Sequence, residues 1–242
     1  GYGRGWVIAN VAVLPDYRRR GIARALMQAA LDKVSRRGPF AVLQVDSDND
    51  SARTLYESLG FRAQRVFVRW RRSALKAANT PEAGPLPLRA ARPGDLPAVM
   101  ALAEQTRPNE RGGLGWLRPI QPAVLRPSRL GDLALLTGGK SSELWVLPHA
   151  DGTLAAALHL ERRIGGLTAT FDLITSPELP ESVELALVHE AIRLLDGYHR
   201  PMLTDHPADD TMAARALEQH GFRPERSLLH MIWQAGVNQA RS

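Results

Sequence analysis

Residues 11–23 read Val11-Ala-Val-Leu-Pro-Asp-Tyr-Arg-Arg-Arg-Gly-Ile-Ala23. Apolar and small residues alternate at the start of this stretch, which predicts a half-buried strand over residues 6–13. Pro15 ends the strand because proline has no amide hydrogen to donate. From Ile22 onwards apolar residues recur at helical spacing, which predicts a helix with one buried face. Gly21 therefore lies at the turn between a strand and a helix.

This predicted helix start has the features of a site for an anionic phosphate. The first amides of a helix lack internal hydrogen-bond partners, and the peptide dipoles add partial positive charge there. A glycine at position 21 lets a ligand approach the backbone closely. Four arginines add full positive charge around it: Arg18, Arg19, Arg20 and Arg24. Taken alone, these residues fit an ordinary strand-to-helix turn with solvated arginines equally well.

A second pattern follows in the chain. Residues 41–45 form an apolar strand, and residues 46–50 (Asp-Ser-Asp-Asn-Asp) are of the types that cap helix N-termini. The helix after them has one apolar face, formed by Ala52, Leu55, Tyr56 and Leu59. Gly60 favours a helix end at that point, and Phe61 opens a further strand around residues 66–70. The order is therefore strand, helix, strand, helix, strand.

With both patterns in view, the chain resembles the GNAT superfamily of acetyl-CoA-dependent N-acetyltransferases. The run Arg18-x-x-Gly21-x-Ala23 resembles the pyrophosphate loop of that family. The run Asn49-x-x-Ala52-x-x-Leu55-Tyr56-x-x-x-Gly60-Phe61 resembles its second motif, at the expected distance downstream. The resemblance implies an α/β fold with a mixed central sheet and flanking helices.

The resemblance also implies a reaction, in which an amine of a small molecule or peptide attacks the thioester of acetyl-CoA directly. The pantetheine arm of the co-substrate would bind along Val11, Ala12 and Val13, and Asn49 would contact that arm. The loop and helix start would hold the pyrophosphate through Arg18, Arg19, Arg20, Gly21, Ile22, Ala23 and Arg24. Tyr56 would protonate the departing thiolate, because a phenol is protonated at neutral pH and can donate. The alternative for Tyr56 is a helix tyrosine packed on an apolar face.

The general base is not identified by the sequence. Many GNAT relatives carry a glutamate on the strand equivalent to residues 6–13, and here that strand has no carboxylate. Asp46 and Asp48 are candidates, although capping of the next helix is an alternative role for them. A group from the front half of a GNAT domain, which has no counterpart in residues 1–76, and a chain of water molecules are further alternatives. The lack of an evident base favours a rival hypothesis, a non-catalytic module of GNAT fold that binds CoA or a protein partner.

The resemblance predicts two GNAT-like domains, the first of them partial. Residues 1–76 resemble only the cofactor-binding half of a GNAT domain, because the front strands and helices of the family have no counterpart here. The strand over residues 6–13 would then have an open edge, which predicts a homodimer or strand exchange at that edge. Residues 77–87 gather proline, glycine and alanine, which predicts a linker. Residues 88–236 are predicted as a second domain.

The second domain is predicted to repeat the fold of the first without its cofactor site. Gly60-Phe61 recurs as Gly221-Phe222, and Asp210 then corresponds to Asn49. The residue patterns of this part of the chain predict strands near residues 143–147, 154–161, 169–174, 201–204 and 228–233, with helices over 96–104, 181–195 and 210–219. The helix start at residues 180–185 has neither the arginine nor the glycine of the loop. Carboxylates there (Glu178, Glu181, Glu184) suit the helix dipole and would repel a pyrophosphate.

Composition limits the classes of function. The sequence has 44% hydrophobic and 23% charged residues and no cysteine, which predicts a soluble globular protein without disulfides or thiolate metal sites. No apolar run is long enough for a membrane span and no signal peptide is evident, so we expect a cytoplasmic protein without membrane contact. The net charge of +6 suits an anionic co-substrate, and the absence of a recognised nucleic-acid module argues against nucleic-acid binding.

The seven histidines all lie after residue 148, and none has metal-ligand spacing on a helix face. We therefore expect no metal. His206, beside Asp205, is a weak candidate for an acceptor site. The sequence shows no Ser/His/Asp nucleophile signature.

Overall fold

The structure is a computed structural model, and it describes residues 5–74, 84, 86–128, 140–149, 151–163, 167–195 and 200–236. Within these ranges the chain forms nine β-strands and six α-helices. The strands are β1 (Trp6–Val7), β2 (Phe40–Asp46), β3 (Arg62–Arg72), β4 (Arg89–Ala90), β5 (Lys140–Pro148), β6 (Leu154–Arg163), β7 (Ala169–Thr175), β8 (Met202–Pro207) and β9 (Arg223–Gln234). The helices are α1 (Ile22–Ser35), α2 (Asp50–Ser58), α3 (Leu96–Thr106), α4 (Pro122–Leu125), α5 (Glu181–Leu195) and α6 (Thr211–Gln219).

The chain divides into two compact units, and neither is a single run of sequence. The first unit comprises Gly1–Phe67, Asn109–Pro119 and Ser227–Ser242, and the second comprises Val68–Pro108 and Ile120–Arg226. Most of the predicted linker over residues 77–87 lies outside the described residues. The predicted division into domains 1–76 and 88–236 therefore stays a prediction.

The sheet of the first unit takes one of its strands from the far end of the chain. Its strand order is β1-β2-β9-β3. β1 runs parallel to β2, whereas β9 runs antiparallel to β2 from Phe40↔Gln234 to Asp46↔Leu228. The neighbour of β2 is therefore not the next strand in sequence, β3, and the predicted strand near residues 228–233 is confirmed but belongs to the first unit.

Helices α1 and α2 cover one face of this sheet. Met27, Leu31 and Val34 of α1 are buried in a core with the odd-numbered positions of β2 and with Met231 and Trp233 of β9. The side-chain alternation of a strand explains why positions 41, 43 and 45 share this core. Burial of each large apolar side chain of this kind stabilises the fold by about 1.5–3 kcal/mol. Both helices agree with the helical spacing predicted from the sequence.

The predicted strand over residues 6–13 is much shorter than expected. β1 covers only Trp6–Val7, and the last backbone bond to β2 runs from the amide of Ile8 to the carbonyl of Val42 at 2.9 Å. Asn10 has a φ of 59°, in the left-handed region, which interrupts the pleat of a strand. β1 is also the end strand in the sheet order, so a second strand does not hold the following residues extended. β2 continues to Asp46 without it.

The second unit contains a sheet with the order β8-β7-β6-β5-β4. β4 to β7 are antiparallel to their neighbours, and β7 and β8 are parallel. The β7–β8 ladder includes only Ala169↔Met202 and Thr170↔Leu203, although the two strands extend to Thr175 and Pro207. The strands therefore separate towards their C-terminal ends. α5 and α6 pack on this sheet, and buried residues of both helices, such as Leu187 and Leu217, share a core with the strands.

The two predicted repeats share the local geometry of a helix and its ends. The Asn49 side chain accepts a hydrogen bond from the amide of Ala52 at 3.0 Å, and the Asp210 side chain accepts one from the amide of Ala213 at 3.1 Å. At the other end Gly60 and Gly221 have φ values of 90° and 81°. This left-handed conformation closes a helix and favours glycine. The Gly-Phe repeat in the sequence therefore corresponds to a repeated structural motif.

Candidate active site

The start of α1 is an open turn built around two left-handed residues. Gly21 has a φ of 79°, and a Cβ placed there would meet nothing within 4 Å. The backbone conformation, not crowding, therefore favours glycine at this position. Arg19 has a φ of 59°, which costs a non-glycine residue about 1 kcal/mol or more. Strain of this kind is often found at ligand-binding turns.

The arginines of the turn are exposed, and three of them have defined contacts. The Arg18 Nε donates to the carbonyl of Val13 at 3.2 Å. The Arg24 Nη2 donates to the Oγ of Ser58, in the last turn of α2, at 2.8 Å. The Arg20 guanidinium lies 5.4 Å from the ring centre of Tyr17. These contacts hold positive charge around the start of α1 and leave it accessible to solvent.

Residues 11–13 run past the end of β1 with unused backbone groups. Val11 packs partly on the core beneath α1, and Ala12 is exposed. Among the described residues, none accepts a hydrogen bond from the amides of these three residues. The side of this segment towards β2 is therefore able to pair with an extended ligand, in the way that an edge strand pairs with a new strand.

Tyr56 lies on α2 with its ring packed and its hydroxyl available. The ring is 5.9 Å from that of Phe61, centre to centre, and burial raises the pKa of the phenol. Within the described part of the chain the hydroxyl makes no hydrogen bond. Tyr56 is thus both packed on an apolar face, as one reading of the sequence expects, and able to donate a proton, as the other expects.

The capping residue before α2 is Asn49, not one of the aspartates around it. The Asn49 Oδ1 accepts from the amide of Ala52, which leaves the side-chain amide nitrogen and the second lone pair of Oδ1 to contact a ligand. Asp46 is half-buried at the end of β2 and Asp48 is exposed in the turn. Neither aspartate has a side chain that caps the helix. Both remain predicted candidates for the general base.

The face of the first-unit sheet opposite α1 and α2 is covered by the segment Asn109–Pro119, which we call the glycine loop. Leu117 packs against Val42 of β2 and Ile232 of β9. At Gly112 a Cβ would come within 2.6 Å of the Phe67 ring and 3.1 Å of the His230 ring. The sequence predicts an irregular region here but does not predict its packing on the sheet. The glycines within it are the signal that could have indicated close backbone packing.

The second unit contains a cluster of buried charged groups where β7 and β8 separate. The Thr175 Oγ1 donates to the Glu184 Oε1 at 3.0 Å. His206 lies between two groups, with Nε2 2.8 Å from the Asp210 Oδ2 and Nδ1 2.5 Å from the Arg107 Nη2. A guanidinium can only donate, so Nδ1 accepts and Nε2 carries the proton that binds Asp210.

Glu184 carries the most perturbed carboxyl group of this cluster. Its side chain is 2% exposed, and its Oε2 has no hydrogen-bond partner in the described part of the chain. Burial, with a smaller effect of the Asp210 charge, raises the pKa of Glu184 to about 7. A carboxyl group thus lies near the helix start that corresponds in sequence to the phosphate-binding turn of the first unit.

A second network in this unit has the connectivity of a serine-hydrolase triad. The Ser142 Oγ is 2.8 Å from the His159 Nε2, and the His159 Nδ1 is 3.0 Å from the Asp172 Oδ2. The three residues are 6%, 0% and 1% exposed. A nucleophile must be reached by its substrate, so this network links three neighbouring strands inside the core and is not an active site.

The first part of the chain is similar to a known protein family. Residues 2–61 match the model of the acetyltransferase (GNAT) family. We call residues 2–61 the GNAT segment, after the family model that they match. This segment includes the turn at Gly21, the cap at Asn49 and the helix with Tyr56, so both patterns that carried the resemblance lie within the residues that the family model matches.

The curated proteins that this chain is similar to match it over a short segment of their own length. The [ribosomal protein bS18]-alanine N-acetyltransferase of Escherichia coli K12 is 47% identical over 58 residues, which are 24% of this chain and 39% of that protein. The N-alpha-acetyltransferase RimI of Mycobacterium tuberculosis is 40% identical over 72 residues, 30% of this chain and 43% of that protein. The chain thus spans about two fifths of the length of these relatives.

Solved structures extend the likeness of fold beyond the GNAT segment. A GCN5-related N-acetyltransferase from Sphaerobacter thermophilus aligns with a TM-score of 0.62 and 18% identity, over 92% of this chain and 70% of that one. A tandem GNAT protein from the clavulanic acid biosynthesis pathway aligns with a TM-score of 0.54 and 15% identity, over 95% of this chain and 75% of that one. The predicted α/β GNAT fold with a mixed sheet is therefore confirmed, and the arrangement as two GNAT-like domains stays a prediction.

The described residues lack both a metal-binding cluster and a membrane-spanning helix. They contain no group of three or more His, Asp or Glu side chains placed to hold a metal ion. None of their helices combines the length and apolar character needed to cross a membrane.

Proposed function

We propose that the protein is an acetyl-CoA-dependent N-acetyltransferase whose GNAT segment binds the co-substrate. It moves the acetyl group to an amine of a small molecule or peptide. The observation that supports this most is the open, arginine-surrounded start of α1 within sequence that matches the family. Residues 1–76 are the proposed cofactor-binding half, and the glycine loop and residues 227–236 are the parts of residues 88–236 that belong to the same compact unit.

The pyrophosphate of acetyl-CoA fits the turn before α1. The free amides from Arg19 to Arg24 supply donors and the positive end of the helix dipole. Gly21 has open space above its Cα, so the phosphates can approach the backbone. Arg18, Arg20 and Arg24 supply the counter-charge. The pantetheine arm, which carries amide groups of its own, would pair with the unused backbone of Val11, Ala12 and Val13.

The reaction combines the direct attack of the amine on the thioester with two proton transfers, one from the amine and one to the departing sulfur. The acceptor amine loses a proton, its lone pair forms a bond to the thioester carbonyl carbon, and the carbon–sulfur bond breaks. Tyr56 is the proposed donor of a proton to the sulfur, because its hydroxyl is available and burial keeps it protonated. Asp46 and Asp48 remain the candidate bases, and a water chain remains the alternative.

The proposed acceptor class follows the relatives that the GNAT segment matches. One of them is named for acetylating an alanine of a ribosomal protein, and another is named an N-alpha-acetyltransferase. An amine at a peptide N-terminus is therefore the first acceptor to test. The rival proposal is a non-catalytic CoA-binding or protein-interaction module, which is favoured by the lack of a carboxylate in residues 6–13.

Calorimetric titration with CoA tests cofactor binding. Gly21→Glu should weaken binding at least about a hundredfold, because the new carboxylate displaces and repels the phosphates. Gly94→Glu is the matched control, since Gly94 also has nothing within 4 Å of its Cβ and lies outside the turn. Gly21→Ala separates backbone strain from charge and should retain most of the affinity. Equal CoA affinity in the parent and in Gly21→Glu would remove the pyrophosphate from this turn.

Thiol release separates the enzyme from the rival module. Incubation of acetyl-CoA with a short peptide that begins with alanine should release free CoA in proportion to the acetylated peptide. CoA binding without thiol release across a panel of amines would support the non-catalytic module instead.

A further inference from the structure

The turn before α1 and the start of that helix gather exposed apolar side chains. The described residues have six exposed large hydrophobic side chains, and four of them lie within residues 14–26: Leu14, Tyr17, Ile22 and Leu26. The four arginines of the turn are exposed in the same stretch. Single exposed apolar residues are ordinary, but a group of them among positive charges suits a ligand that is partly apolar and partly anionic. A nucleotide has this composition, because a flat base is joined to its phosphates.

Tyr17 is the aromatic member of this group, and its backbone is held in place. Residues Pro15–Tyr17 form a single turn of 3-10 helix, in which proline restricts φ. The amide of Tyr17 donates to the carbonyl of Leu14 at 2.9 Å, and the amide of Arg18 donates to the carbonyl of Pro15 at 3.1 Å. Tyr17 is 52% exposed and is not part of the core beneath α1. The turn therefore presents an aromatic ring to solvent from a fixed position.

Arg20 contacts this ring and links it to the phosphate-binding turn. The Arg20 guanidinium lies 5.4 Å from the ring centre of Tyr17, a distance at which a cation is attracted to the face of an aromatic ring. Arg20 directly precedes Gly21, where the phosphates are proposed to bind. Because more than half of Tyr17 is exposed, the ring can also receive a planar group on the face turned away from Arg20.

The order of these features along the chain matches the order of the groups in CoA. Under the proposed function the pantetheine arm lies along residues 11–13 and the pyrophosphate lies at residues 19–24. In CoA the adenosine is joined to the pyrophosphate at the end opposite the pantetheine arm. The turn with Tyr17 lies beyond the end of the extended segment, and the Arg18 Nε ties it to the carbonyl of Val13 at 3.2 Å. The adenine base is therefore the group of CoA that can reach Tyr17.

We infer that Tyr17 is the stacking platform for the adenine base of the co-substrate. The base lies on the face of the ring opposite Arg20, and Arg20 stays beside the phosphates. Aromatic side chains hold nucleobases by stacking of this kind. The consequence is a preference among acetyl donors, in which CoA thioesters are favoured over thioesters of a phosphopantetheine arm that carries no nucleotide. This inference rests on the proposed function and names a determinant of donor specificity at the same site.

Calorimetric titration with CoA and with phosphopantetheine tests the inference. Phosphopantetheine keeps the thiol arm and one phosphate of CoA and lacks the adenosine. The parent should bind CoA more tightly. Tyr17→Ala should weaken CoA binding about tenfold, the effect of losing one stack between a base and an aromatic ring, and should leave phosphopantetheine within about twofold. Tyr17→Phe should keep the CoA affinity of the parent, because a phenyl ring stacks without the hydroxyl.

Leu26→Ala is the matched control, because Leu26 is also 52% exposed but is not aromatic. It should leave both affinities within about twofold. An unchanged CoA affinity in Tyr17→Ala, or equal losses for both ligands, would overturn the inference while leaving CoA binding by the parent intact. A parent that binds neither ligand would overturn the proposed function and this inference with it.

Discussion

Replacement of Glu184 by glutamine should stabilise the protein above neutral pH and leave it unchanged in acid. Glu184 is buried near Asp210, and its pKa is raised from 4.5 to about 7. A carboxyl group whose pKa is higher in the folded state folds best when protonated. Below pH 4.5 the group is protonated in both the folded and the unfolded protein and does not change the free energy of unfolding. Between pH 4.5 and about 7 the group lowers the free energy of unfolding by about 1.4 kcal/mol for each pH unit, and above that range the loss stays constant.

The full cost is the width of that interval, about 2.5 units, which corresponds to about 3 kcal/mol of unfolding free energy at pH 8. Glutamine keeps the Oε1 that accepts from Thr175 and replaces the unpartnered Oε2 with an amide that can donate towards Asp210. We therefore expect Glu184→Gln to exceed the parent by about 3 kcal/mol at pH 8 and to equal it at pH 4. The positive charge of Arg107 lowers the pKa of Glu184 and so opposes the effect, whereas the charge of Glu181 raises it.

Urea unfolding at pH 4, 6 and 8 measures this difference. Glu178→Gln is the control, because Glu178 is exposed just before the same helix and should show no such trend. For a chain of this size a gain of 3 kcal/mol raises the melting temperature by about 6–12 °C. Parallel stability curves for parent and Glu184→Gln across the three pH values would refute the reasoning.

Three further substitutions test other parts of the structure. Tyr56→Phe should lower kcat about a hundredfold, the typical contribution of a general acid, with CoA affinity unchanged by calorimetry; an unaltered rate would exclude Tyr56 as the proton donor. Gly112→Ala should lower the unfolding free energy by about 2 kcal/mol because of its left-handed backbone and the Phe67 overlap, whereas Gly94→Ala, which has open space, should change it little. Ser142→Ala should cost about 1 kcal/mol by urea unfolding without altering acetyl transfer; a loss of activity at full stability would contradict a purely structural role.

The parts of the fold that depend on neighbouring residues were predictable from the sequence. α1, α2 and the glycine ends of α2 and α6 follow from apolar spacing and from residue types that favour caps and left-handed backbone. The strand over residues 6–13 was predicted too long, because its alternating pattern is satisfied only when a second strand holds it. Asn10 instead takes a left-handed conformation at a sheet edge.

The parts that depend on distant pairing could not be read from the sequence. Nothing local to Gln44 indicates that His230 is its cross-strand neighbour, because that pairing depends on the register between β2 and β9. The buried triad likewise requires the register of three strands to bring Ser142, His159 and Asp172 together. His206 and Glu184 were each noted in the sequence, but their proximity to Arg107 depends on the end of α3 reaching the place where β7 and β8 separate.

The position of β9 next to β2 has a consequence for how this chain can be made. The first unit is not complete until residue 234 has been synthesised, because Gln234, whose side chain bonds that of Arg62, lies 172 residues downstream of it. At ordinary translation speeds that interval is roughly 10–30 s, during which the inner edge of β2 has unpaired amides and carbonyls. A ribosome-bound chain arrested before residue 223 should therefore expose an unpaired, aggregation-prone strand edge that chaperones recognise. A gene truncated after β3 should yield inclusion bodies instead of a small CoA-binding fragment.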